Sequence, residues 1–140
     1  MKRMKRLKIF FAVSFAACGY MNVQAEPLPE VERSRIEYKS PAEALTALRL
    51  KPGVEISIQG GWTIAYEPAS HVIWSFAPEK HPSYPSMVRR EIVAEDGTVF
   101  VKMDVKCRAS KGVCDDLVRD FNQLNENVRL SIQAGANKEN

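Results

Sequence analysis

Around Asp96-Gly97 the chain is patterned so tightly that a single pairing accounts for it. Asp-Gly is the signature of a two-residue type I′ turn, because both turn positions need positive φ. Glu95 then faces Thr98, and counting outward Val93 faces Phe100, Glu91 faces Lys102 and Arg89 faces Asp104. That face holds two opposite-charge pairs and one apolar pair. The other face sets Ala94, Ile92 and Val88 against Val99, Val101 and Val105; only Arg90, opposite Met103, is out of place. A slip of one residue would discard both charge pairs, so the pattern selects its own register.

Upstream, Ser40-Pro41-Ala42-Glu43 has the form of a helix start: serine as N-cap, proline in the first turn, glutamate as capping-box partner. With Ala44, Leu45 and Leu48 on one face and Lys51-Pro52-Gly53 as the stop, the spacing predicts a helix over 41–50. Alternation of period two follows in Val54, Ile56 and Ile58, bends at Gly60-Gly61, and resumes in Trp62, Ile64 and Tyr66. After a turn at Glu67-Pro68-Ala69-Ser70 it returns in Val72, Trp74 and Phe76. Leu117, Phe121, Leu124 and Val128, with Val118 beside them, then recur at helical spacing, capped by Ser110 or Asp115 and fraying at Gly135. The expected fold is α+β: an antiparallel meander of four or five strands with a helix at each end, at least the second packed on the sheet.

The formal net charge of +3 belongs to the N-terminus. The first 25 residues hold five of the 20 Lys+Arg and none of the 17 Asp+Glu, which leaves 15 against 17, or −2, on the rest. That balance offers no argument for nucleic-acid binding. Lys2, Arg3, Lys5, Arg6 and Lys8, the apolar run Ile9–Ala17, and Val23-Gln24-Ala25 read together as a secretory signal peptide over 1–25, too short in its apolar part to stay as a membrane span. Phe15-Ala16-Ala17-Cys18 supplies the alternative, a lipoprotein anchored through Cys18, although leucine is usual where Phe15 stands. Cleavage after Ala25 is the preferred expectation. It gives an exported, periplasmic chain with a flexible N-terminal arm over 26–39, a single domain over 40–134 and a polar tail over 135–140.

Cleavage there removes Cys18 and leaves Cys107 and Cys114, which export favours as a disulfide. Cys107 continues the parity of Val99, Val101, Met103 and Val105, and Cys114 lies on the stripe of Leu117, so both sulfurs fall at one strand–helix interface. Closing so short a ring contributes about 2.5 kcal/mol on the loop-entropy estimate. Redox chemistry would want Cys-x-x-Cys. A zinc site would want ligand spacing that the distant His71 and His81 do not provide. No metal or cofactor is expected.

The densest set of contact-making residues is Ala77–Pro85, where three prolines hold Lys80, His81, Ser83 and Tyr84. Read functionally, Lys80, His81 and Tyr84 form a rigid recognition loop for a protein, peptide or small ligand; the plainer reading is a proline-rich crossover with His81 and Tyr84 packed on the sheet edge. Ser83 or Ser86 beside His81 suggests a hydrolase, yet no third group and no Gly-x-Ser-x-Gly elbow is present. Trp62, Tyr66, Trp74 and Phe76 share strand parities that place them on one aromatic face, either a binding platform or, preferred here, core. Arg89, Glu91, Lys102 and Asp104 read as a solvated ladder. The chain contains no P-loop, dinucleotide fingerprint, metalloprotease motif, EF-hand loop or internal repeat.

Gly60-Gly61-Trp62, Trp74-Ser75-Phe76, His81-Pro82 with Tyr84-Pro85, and Cys107 with Cys114 give residues 40–130 a character that resembles small uncharacterised exported proteins of Gram-negative bacteria. The resemblance implies no activity. The functional expectation is therefore a non-enzymatic periplasmic accessory or binding protein, with an inhibitor of a hydrolase as a special case and a small secreted hydrolase using His81 as the rival.

Overall fold

The Asp96-Gly97 hairpin forms in the expected register. In the computed structural model, which describes residues 34–138, β4 (Ser86–Glu95) pairs with β5 (Thr98–Cys107) from Glu95↔Thr98 out to Ser86↔Cys107. Asp96 and Gly97 take φ of 51° and 76°, as a type I′ turn requires. The expected signal peptide, the alternative anchor at Cys18 and residues 26–33 of the expected arm lie outside the described residues.

Three shorter strands complete one antiparallel sheet in the order β1-β2-β3-β4-β5: β1 (Glu55–Gln59), β2 (Trp62–Glu67) and β3 (Val72–Phe76). Gly60 and Gly61, with φ of 55° and 84°, close the β1–β2 hairpin as a second tight turn. A 3-10 turn, Pro68–Ser70, and a left-handed His71 connect β2 to β3.

Helix α1 (Pro41–Leu50) begins and ends where the sequence predicts. Ser40 Oγ accepts from Glu43 N at 3.2 Å, and Glu43 Oε2 accepts from Lys39 N at 2.9 Å, so the capping box closes one residue earlier than usual. Ala44 and Leu48 bury against Ala65, Val72, Trp74, Phe76 and Met87 on one face of the sheet. Helix α2 (Lys111–Ala136) covers the other face along β5. Ser110 occupies its N-cap position without a side-chain cap bond, and the helix runs through Gly135, where fraying was expected. One glycine costs a helix only about 1 kcal/mol, and the Asn137 N–H bond to Gln133 O closes the last turn.

The staple is in place. Cys107 and Cys114 form a disulfide with their Cα atoms 5.9 Å apart, joining the end of β5 to the first turn of α2.

Two expectations change. Cross-strand neighbours share a face, and Ala65 sits opposite Trp74 while Tyr66 sits opposite Ile73. Trp62 and Tyr66 therefore lie under α2, whereas Trp74 and Phe76 lie under α1. The single aromatic face does not exist, because four residues (68–71) connect the strands and an even-numbered loop inverts the parity carried from one strand to the next.

The charge ladder is also only partly solvated. Within the 26–39 segment, residues 34–39 are described and they pack: Ile36 is buried in the α1-side core, and the Tyr38 ring meets Trp74 edge-on at 5.5 Å. Arg35 lies over the ladder, its Nε 3.0 Å from Asp104 Oδ2 and its Nη1 3.5 Å from Glu91 Oε2, while Arg89 Nη1 holds Glu91 at 3.0 Å. Lys102 turns away to Glu95 at 3.6 Å.

Candidate functional site

Two turns shape the 77–85 loop, closed by His81 N to Pro78 O and Tyr84 N to His81 O, each 2.9 Å. Between them Ser83 N donates to His81 Nδ1 at 3.2 Å, so Nδ1 is an acceptor and the neutral ring carries its proton on Nε2. Ser83 Oγ lies 2.7 Å from the same Nδ1 and 3.0 Å from Ser86 Oγ. Ser83 has 0% exposure. A hydroxyl enclosed in this way aims the imidazole; it does not face an incoming carbonyl.

The loop's three expected contact residues do not converge. His81 stacks edge-on to Trp62 at 4.9 Å and walls a cavity on the α2 side of the sheet. Tyr84 is 46% exposed and lines a separate depression on the α1 side with Pro41, Leu45 and Phe76. Lys80 is exposed and lines neither.

The α2-side cavity is the one that holds a buried charged group. Its volume is about 370 Å³, between α2 and the outer strands, with Trp62 and Ile64 on the sheet and Leu117, Phe121 and Leu124 on the helix. It continues past Leu124 into a second hollow of about 550 Å³ that shares Gln59, Ile64 and Arg90 with it and reaches Val128. The apolar stripe expected to bury on the sheet thus buries only in part: Leu117 is buried, Phe121 and Val128 are half-buried, and Leu124 is 43% exposed. The row that does bury runs from Leu117 to Asn125, whose Nδ2 lies 3.3 Å from Met103 Sδ.

Arg90 forms the floor. This is the residue whose sequence position broke the alternation of β4, and the structure buries it to 7% exposure. Its guanidinium lies 5.2 Å from the Phe121 ring centroid, and Nη2 donates a long bond of 3.4 Å to Ser75 Oγ. Among the described residues Nε has no partner, and no carboxylate pairs with the group. Burial depresses its pKa with nothing opposing. Taking an ion this far from water costs several kcal/mol, of which a cation–π contact returns about 0.5–2 kcal/mol.

A second polar hollow, on the α1 side, is internally neutralised. Burial pushes the Glu67 carboxyl upward, but hydrogen bonds from Lys51 and from Trp74 Nε1 (2.7 Å), with the charges of Lys51 and Arg89, outweigh it and hold the group below its ordinary range.

Sequence reasoning reached His81 through the loop and missed the groove. Its one signal was the misfit Arg90, because a cation among core-facing residues is where local rules yield to something else. Among the described residues no helix is long and apolar enough to cross a membrane. No protein family, curated protein or solved structure matches the chain.

Proposed function

We propose that the chain is an exported, non-enzymatic binding protein of the periplasm, and that its recognition surface is the groove between α2 and strands β1–β4, with His81 at one end. One observation carries the reading: a buried arginine that has no carboxylate partner among the described residues, at the floor of a cavity walled by Trp62 and Phe121. Ligand sites are mostly apolar concavities with a few placed polar groups, and this groove has that composition. The enclosed Ser83 supports binding over hydrolysis. Basic Lys2–Lys8, apolar Ile9–Ala17 and the Cys107–Cys114 bond support export, because disulfides persist in oxidising compartments.

The binding reading is tested by screening a fragment library against the nitrogen-15-labelled protein. Amide shifts clustering at Trp62, Ser75, Arg90 and Phe121 are expected. A library whose hits fall elsewhere, or that leaves these residues silent, overturns it. Export is tested by the intact mass of protein recovered from the periplasm: a chain beginning at Glu26 is expected, and a diacylglyceryl group on Cys18 replaces that reading with the lipid-anchored one.

A further inference from the structure

Resting on the groove as the binding surface, we infer that its ligand is a small organic monoanion: a carboxylate borne on an aromatic or branched apolar body. The charge is argued from Arg90. Among the described residues its guanidinium has no carboxylate partner, and its protein contacts are a ring face at 5.2 Å and a hydroxyl at 3.4 Å. Ser75 Oγ accepts that bond, which leaves its own hydrogen to donate, so a carboxylate at the floor gains both the planar guanidinium fork and a hydroxyl donor.

The body of the ligand is argued from the walls. Trp62 and Phe121 meet edge-on at 5.5 Å, and Ile64, Leu117 and Leu124 extend the apolar surface. A volume of about 370 Å³ lies at the lower end of ordinary ligand pockets and fits a compact molecule.

The single negative charge is argued from the rim. Asp120, which lines the same cavity, is held by Arg119 at 3.2 Å, and His81, whose Nδ1 is committed to Ser83, has only its Nε2–H to offer a ligand. One floor cation with an acid at the rim suits a monoanion better than a phosphate dianion. The hollow beyond Leu124 has Glu55 at its far side, which also turns a second negative group away.

The probes are phenylacetate, its neutral isostere phenylacetamide, and inorganic phosphate, read on the indole N–H resonances of the two tryptophans. Phenylacetate is expected to shift the Trp62 signal saturably and to leave that of Trp74, on the opposite face, in place. Phenylacetamide should bind about tenfold or more weaker, as the loss of a charge-assisted pair requires. Arg90→Gln should weaken phenylacetate by a similar factor, with the unchanged Trp74 signal showing that the variant is folded. Equal affinity for acid and amide overturns the anion while leaving the groove as a binding surface. Phosphate binding tighter than phenylacetate overturns the monoanion. No Trp62 shift with either aromatic probe at about 10 mM overturns the ligand class, and the wider reading falls only if the fragment library also leaves the groove silent.

Discussion

Arg35 Nε lies 3.0 Å from Asp104 Oδ2, and the Arg35 backbone N–H donates to the other oxygen of the same carboxylate at 3.3 Å. One acid on β5 thereby fixes both the main chain and the side chain of a residue 69 positions earlier. Asp104→Asn keeps the shape and leaves Arg35 and Arg89 with one carboxylate between them. Stability should fall by about 1–2 kcal/mol, the scale of lost charge-assisted bonds, and urea denaturation would read it. Arg35→Ala should cost less, since its side chain is 30% exposed. An unchanged midpoint in Asp104→Asn would show that the clamp is ornamental.

The disulfide should be structural. A Cys107→Ser, Cys114→Ser double variant is expected to lose roughly 2 kcal/mol and to melt several degrees lower. Identical melting curves, or free thiols in the unreduced protein, would contradict that.

Acid should loosen the α1 side through Glu67. Its folded pKa lies below the ordinary 4.5, so its contribution is complete above that value and disappears as pH falls through the lower, folded one. Glu67→Gln should therefore show a flatter decline in stability on the acid side. Parallel pH profiles for the two proteins would sink the assignment.

Arg90→Met should raise the melting temperature. It replaces a buried ion that has no carboxylate partner among the described residues with an apolar chain beside Phe121, an exchange that is often stabilising by about 1–4 kcal/mol. A lower melting temperature would mean that the guanidinium holds the groove together by itself.

Legibility in the sequence followed the range of the interaction that decides each feature. The β4–β5 register, α1 and the Cys107–Cys114 staple are set by neighbours a few residues apart, or by two periodicities meeting, and each could be read locally. The separation of Trp62 from Trp74 turns on whether the link at 68–71 is odd or even, a count that depends on where β2 ends and β3 begins. Boundaries are what pattern reading resolves least well. Arg35 was hidden for another reason: its partners, Glu91 and Asp104, already appeared satisfied by Arg89 and Lys102 across the hairpin. Arg90 was visible as an anomaly, but the cavity around it is a gap between elements, and no residue string encodes a gap.

Helix α2 is tied to the hairpin at both ends, by the disulfide at Cys114 and by Gln133 Nε2, which donates to Gly97 O in the turn at 3.2 Å. The two ties make the helix a gauge of the strand beside it. From Cys114 to Gln133 the helix advances about 28 Å at 1.5 Å per residue. From Cys107 back to Gly97 the strand spans about 33 Å at 3.3 Å per residue, and the side chains at the two ties take up the difference. Lengthening each strand by two residues would carry the turn about 7 Å further, more than one helical turn beyond Gln133. Each residue added to both strands therefore has to be matched by roughly two in the helix, or the far tie opens.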